Sequence, residues 1–149
     1  MWDQRYDTEE YVYGRKPNEF LVGVSGQIRQ GRVLCLAEGE GRNAVYLATL
    51  GHRVLAVDSS SVGLKKAKLL AAESNVTIET QVADLDHLVI EPEAWDGIVS
   101  IFAQVPSSIR KGLHRKVVQG LRSGGVFILE AYTPEQLKHK TGGRLMRTR

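Results

Sequence analysis

The stretch from Val33 to Gly51, VLCLAEGEGRNAVYLATLG, joins an apolar run to a turn with glycines at positions 39 and 41, and then to an apolar pattern at helical spacing. A strand that stops at such a turn and passes straight into a helix is the repeating unit of a parallel α/β sheet. Glycine lets the chain turn tightly and lets a ligand approach the main chain without meeting a β-carbon. The helix that follows offers free N–H groups and a positive dipole end to whatever lies against the turn. The junction therefore reads as one wall of a ligand site. The bland reading of the same residues is a tight turn with no ligand.

Outward from this unit the alternation continues. RVLCL (32–36) is strand one, and Asn43 to Leu50 is a helix with Ala44, Leu47 and Ala48 turned inward, closed by Gly51. RVLAVD (53–58) is strand two. Ser60 or Ser61 caps the next helix, whose buried side carries Leu64, Ala67 and Ala71. VTIETQVAD (76–84) and WDGIVSIF (95–102) are strands three and four. Ser107 or Ser108 opens a long helix with Ile109, Leu113, Val117 and Leu121 at helical spacing, stopped by SGG before strand five, VFILEAY (126–132). Ahead of the repeat, a helix from Pro17 to Gly31 places Phe20, Leu21, Val24 and Ile28 on one face. After it, Thr133, Pro134 and Gln136 start a further helix. Strands this rich in Val, Ile and Leu are buried on both faces, so helices cover each side. The expected fold is α/β: a Rossmann-like doubly wound, mainly parallel sheet of about five strands in a three-layer αβα sandwich.

The 149 residues suit one domain, 1–149, divided into an N-terminal cap and helix (1–31), a ligand-binding core (32–134) and a basic C-terminal tail (135–149). Apolar residues at 42% and charged residues at 25% are globular values and argue against a disordered chain. No stretch approaches the ~18 consecutive apolar residues of a membrane span. The polar, acidic start MWDQRYDTEE is not a secretory signal, and Cys35, the sole cysteine, cannot form an internal disulfide. A cytoplasmic protein is expected. The net charge of +3 comes from Lys138, Lys140, Arg144, Arg147 and Arg149, without which the chain is slightly acidic. That distribution argues against a nucleic-acid partner.

In doubly wound sheets the ligand lies outside the carboxyl ends of the strands, where strand order reverses. Gly39 and Gly41 lie there. Asp58 ends strand two, nineteen residues after Gly39, where a carboxylate accepts hydrogen bonds from both hydroxyls of a ribose. Asp84 ends strand three and can accept from an exocyclic adenine amine, with Ala83 or Leu85 beside it. Two cofactors fit this set. Gly39-x-Gly41-x-x-Ala44 satisfies the dinucleotide fingerprint, which would make the chain an NAD-dependent oxidoreductase. Glu38 and Glu40, however, would repel a pyrophosphate placed against the turn. The ammonium of a methionine-type tail would tolerate them. EGEGRN, with Asn43 closing it, therefore fits S-adenosylmethionine better.

At these residues the chain resembles the class I S-adenosylmethionine-dependent methyltransferases, and within them the branch of the tellurite-resistance methyltransferases. The motifs that carry the resemblance are LAEGEGRNAVYLA, VLAVDSSSVGLKKAKLLA, VADL, LRSGGVFILEAYTPEQL, the later TGG, and YVYGRKPNEFL near the start. The resemblance implies that Gly39 and Gly41 line the methionine and ribose, with Glu38 and Asn43 near the same end. It implies that Asp58 and Ser59 hold the ribose, and that Ala83, Asp84 and Leu85 flank the adenine. Ile101, Phe102 and Ala103 would border the methionine and the substrate mouth. Two departures stand out. Many class I chains have an acid where this one has Cys35 and a glycine where it has Ala37. Relatives continue past TGG with a helix and two strands, whereas this chain ends in RLMRTR. Strand five is therefore expected to be an exposed edge, open to pairing with a second copy.

Methyl transfer from a sulfonium is an in-line displacement in which the protein chiefly aligns the reacting atoms. A soft small-molecule acceptor, a thiol or a chalcogen oxyanion such as tellurite, needs little base assistance, and the sequence singles out no catalytic residue and no metal-ligand spacing. Tyr11 and Tyr13 either close over the methyl group or pack as an ordinary terminal segment. Arg42 either binds a carboxylate or oxyanion of the acceptor or is a solvated residue of a first helical turn. His114 reads as a surface helix residue, His52 as a solvated residue of the turn before strand two, and His87 and His139 as loop or tail residues. Alongside an acting methyltransferase stand the oxidoreductase and a non-catalytic cofactor-binding module, the last because of the short C-terminus.

Overall fold

The computed structural model describes residues 16–37, 39–101, 107–130 and 144–147. Among these, α1 (Glu19–Val24) precedes β1 (Arg32–Leu36), α2 (Arg42–Thr49), β2 (Arg53–Asp58), α3 (Ser61–Glu73), β3 (Glu79–Val82), β4 (Trp95–Ile101), α4 (Ser107–Gly120), β5 (Leu121–Glu130) and β6 (Arg144–Arg147). The sheet order is β3-β2-β1-β4-β5-β6. The first five strands pair in parallel and β6 runs antiparallel to β5. Strand order reverses between β1 and β4, so the crevice of the doubly wound fold opens above those two strands.

Side-chain alternation splits the core in two. Val33, Cys35, Val54, Ala56, Val99, Val126 and Ile128 face Leu21 of α1, the Ala44–Ala48 face of α2, and Leu64, Ala67, Leu70 and Ala71 of α3. Leu34, Leu36, Val57, Ile98 and Phe127 face Leu113 and Val117 of α4, together with Leu88, Ile90 and Ala94. Helices therefore cover both faces, as the expected three layers require. Ser60 caps α3 by accepting from the Gly63 N–H at 3.0 Å, and Gly51 follows α2 at φ 95°, both where expected.

Several boundaries differ from the sequence reading. The first helix ends at Val24 and tightens into a 3₁₀ turn, Ser25–Gln27, so Ile28 leaves the helix in extended backbone. Glycines at 23 and 26 remove helix propensity there, and Ile28 is buried instead against the open side of Gly97. Leu121 belongs to β5 rather than to the long helix, which stops at Gly120, where a β-carbon would strike Ile90. Strand three shrinks to four residues and is largely exposed at the sheet edge. The expectation of an exposed fifth strand is corrected. Residues Val126–Leu129 of β5 pair with Arg144–Arg147, which fill the antiparallel position beside β5. The case for a second copy pairing along β5 loses its premise. The predicted helix after Thr133 lies outside the described residues.

At the lower end of the sheet, buried Asp96 joins three segments. Its Oδ2 accepts the Arg32 N–H at 2.9 Å and lies 3.2 Å from Arg122 Nη1, while Oδ1 lies 3.5 Å from Arg29 Nε. A β-carbon at Gly31 would occupy the space of this carboxylate. Gly31→Ala is therefore expected to cost about 1–3 kcal/mol in urea unfolding. Gly112→Ala, at an open position within α4, should instead gain about 0.5–1 kcal/mol.

The expectation of a solvated His52 is corrected: the imidazole packs into this lower end, and its Nδ1 accepts the Gly31 N–H at 3.4 Å. Burial lowers its pKa below the ordinary 6.5, against a smaller opposing effect of the Asp96 charge. The unfolded chain then binds the proton more readily, so this contribution is complete above 6.5 and is lost as pH falls below it. Thermal unfolding should show a drop in Tm on acidification below pH 6.5. His52→Asn, whose side-chain oxygen can accept from Gly31 without titrating, should reduce the drop.

Candidate functional site

The turn after β1 is shaped by backbone conformation first. Ala37 (φ 52°), Gly39 (φ 61°) and Gly41 (φ 90°) all take left-handed backbone within five residues. For Ala37 this costs about 1 kcal/mol, which explains why a glycine is common at that place in the class it resembles. Gly41 answers a packing demand. A β-carbon there would run into the Cα and Cβ of Ala67, so α3 can lie against the start of α2 only if position 41 is bare.

Asp58 holds the turn in place. It ends β2, is 8% exposed, and its Oδ2 accepts the Gly39 N–H at 2.7 Å while Oδ1 accepts the Ser60 N–H at 2.9 Å. Its main-chain oxygen accepts the Ala83 N–H at 3.0 Å, tying in the exit of β3. The structure thus brings Gly39, Asp58 and Ala83 together by direct hydrogen bonds. Ser59 and Asp84 are exposed beside them, and Leu85 is half-buried against the α4-side core. Asp84 also lies with Asp86 and His87 in an exposed group whose ligand-type atoms fall within 4.8 Å of one another.

Glu40 does not face the crevice as a free charge. Its side chain is 4% exposed and its Oε2 lies 2.8 Å from Lys66 Nζ, a buried ion pair between the turn and α3. The argument that Glu40 would repel a pyrophosphate is corrected accordingly, because Lys66 neutralises it.

A second group forms at the tips of β4 and β5. Asn43, buried in the first turn of α2, accepts the Asn18 N–H through Oδ1 at 2.8 Å. The Asn18 side chain caps α1 by accepting from Leu21 N–H at 3.0 Å, and it donates through Nδ2 to Glu130 Oε1 at 3.0 Å. Glu130 ends β5 in register with Ile101, which is half-buried at the end of β4. Burial raises the Glu130 pKa above its ordinary value, against the lowering effects of the Asn18 hydrogen bond and then the Arg42 charge. Arg42, half-buried at the start of α2, is therefore close enough to act on Glu130. Glu38, Phe102, Ala103, Tyr11 and Tyr13 lie outside the described residues.

Asn18, Lys66 and Glu130 were not singled out from sequence. The available signal for Glu130 is an acid placed where the alternation of Val126 and Ile128 calls for an apolar residue. For Asn18 it is the cap-forming pattern PNEF.

Comparison with known proteins agrees with this geometry. Residues 33–125, more than half of the chain, match the family described as Methyltransferase domain. An uncharacterized methyltransferase, YbaJ of Bacillus subtilis, is 31% identical over 128 residues, covering 85% of this chain and 47% of its own. A 2-heptyl-1-hydroxyquinolin-4(1H)-one methyltransferase of Mycobacteroides abscessus is 29% identical over 119 residues, covering 78% of this chain and 52% of its own. A crystal structure of an S-adenosylmethionine-dependent methyltransferase from Mesorhizobium loti superposes with a TM-score of 0.64 at 28% identity, covering 76% of this chain and 53% of that one. The chain spans about half the length of the curated relatives it matches. With the family match over residues 33–125 and the 31% identity to YbaJ, this chain belongs to the methyltransferase domain family.

Proposed function

We propose that the chain binds S-adenosylmethionine across the tips of β1 to β4 and serves methyl transfer to a small soft nucleophile, a thiol or a chalcogen oxyanion. The observation that carries the reading is the buried Asp58 carboxylate bonded to Gly39. It places an acceptor of hydroxyl donors directly beside the glycine turn. The charges agree. Among the described strand tips stand Asp58 and Asp84, acids that suit a cationic ligand and oppose a pyrophosphate. The family match also favours the sulfonium nucleoside over a nicotinamide dinucleotide. When bound, S-adenosylmethionine supplies an electrophilic methyl group on sulfur.

In this reading Asp58, with Ser59 beside it, holds the ribose hydroxyls. Ala83, Asp84 and Leu85 flank the adenine. Gly39, Gly41, Glu38 and Asn43 receive the methionine end. Ile101 and Phe102 border the acceptor side, where Arg42 also stands, and Tyr11 and Tyr13 belong to the segment that leads into Asn18. Because Asn18 is fastened to Asn43 and Glu130, the chain enters the fold at the mouth of the crevice. The resemblance to the tellurite-resistance branch supports the oxyanion as one acceptor, and its soft nucleophilic atom is shared by thiols.

Calorimetric titration tests the cofactor. S-adenosylmethionine and S-adenosylhomocysteine should bind with one site per chain and NAD should not. Asp58→Ala should weaken S-adenosylmethionine at least about tenfold, the loss of roughly one charge-assisted hydrogen bond pair. Tighter binding of NAD, or unchanged affinity in a folded Asp58→Ala protein, would overturn the assignment.

A further inference from the structure

Across the α1–α3 side of the sheet, Cys35, Val99 and Ile128 stand side by side in one buried row. One alternation step nearer the crevice, the row is continued by Ile101 and Glu130. An acid thus occupies a place that strand alternation reserves for an apolar side chain, and it is 6% exposed. Its Oε1 is held by Asn18, which is itself fixed by its cap bond and by Asn43. Among the described residues no hydrogen bond reaches its other oxygen. That oxygen is open to solvent rather than sealed in, and burial of the side chain favours its protonated form. In the sheet order Glu130 stands beyond β4 from Asp58, away from the proposed nucleoside end.

We propose that Glu130 takes the proton of the methyl acceptor and that the acceptor is a neutral thiol, not an oxyanion. This rests on the methyltransferase reading and narrows it. The thiol S–H bond breaks and the proton passes to Glu130 Oε2. The thiol sulfur forms a bond to the methyl carbon as that carbon's bond to the sulfonium breaks, its electron pair returning to sulfur. The products are a methyl thioether, S-adenosylhomocysteine and protonated Glu130, which then loses its proton to water. A chalcogen oxyanion brings a negative charge towards a buried carboxylate and needs no base. Arg42 is the charged side chain that acts on Glu130 from α2. Asn18 and Asn43 are neutral, and Ile101 on β4 is apolar. Asn18 is a positioning residue, holding one oxygen so that the other is presented.

Glu130→Gln separates this from a purely structural anchor, because its amide oxygen can still accept from Asn18. The assay follows labelled methyl transfer from S-adenosylmethionine to 2-mercaptoethanol and to tellurite, with cofactor affinity measured calorimetrically. The variant should keep its S-adenosylmethionine Kd within about twofold. Its kcat on the thiol at pH 7 should fall about a hundredfold or more. That deficit should shrink as pH rises past the thiol pKa, where the thiolate forms without help. The proposal is overturned by a Glu130→Gln enzyme within about threefold of wild type, by a deficit equal at pH 7 and pH 10, by transfer to tellurite in preference to the thiol, or by cofactor binding with no thiol methylation. Failure of the wild-type chain to bind S-adenosylmethionine would instead remove the parent reading.

Discussion

A single buried carboxylate holds the upper end of the sheet. Asp58 accepts from Gly39 in the turn after β1 and from Ser60 in its own turn into α3, and its main chain receives Ala83 at the exit of β3. Three neighbouring strand exits are thereby fixed to one residue. Removing an ion from water is costly unless donors replace its hydration, and main-chain N–H groups do so without adding a counter-charge. The turn it secures consists of left-handed backbone at Ala37, Gly39 and Gly41, which would not hold its shape unaided.

The lower end uses the opposite device. Asp96 is as buried as Asp58, but guanidinium groups of Arg29 and Arg122 lie against it, and the Arg32 side chain stacks 4.4 Å over the Trp95 ring. The Trp95 indole N–H lacks a hydrogen-bond partner, a cost of about 1–3 kcal/mol that the ring's burial and the stacked cation help to offset. Charge at the bottom is neutralised and packed. At the top, Asp58 is met by main-chain N–H groups instead.

Sequence reading reached the parallel sheet because strand and helix periods alternate cleanly from Arg32 to Glu130, and the Val, Ile and Leu content of the strands requires cover on both faces. It reached Gly39 and Asp58 because their spacing reflects one strand-helix-strand unit. It did not reach β6, since RLMR pairs only with a strand already placed, and four residues carry no period of their own. It misjudged Leu121 because an apolar residue four places after Val117 fits a helix as well as the first residue of a strand. Asn18 and Glu130 escaped for a related reason. They lie 112 positions apart, and only the folded sheet brings the start of α1 to the tip of β5.

Glu40 shows how a local charge argument can reach a sound conclusion by an unsound step. Read along the chain, Glu40 flanks the glycine turn and repels anions. In the fold its charge belongs to Lys66 on α3. Breaking that pair would strand a buried ion, so it serves the contact between α2 and α3 rather than the ligand. In the proposed reading the preference for a cation passes to Asp58, which accepts from the neutral N–H groups of Gly39 and Ser60. Hydrogen bonds from neutral donors leave the field of a carboxylate in place, whereas an ammonium cancels it. The sign of the crevice is therefore decided by which acids receive amides and which receives a lysine.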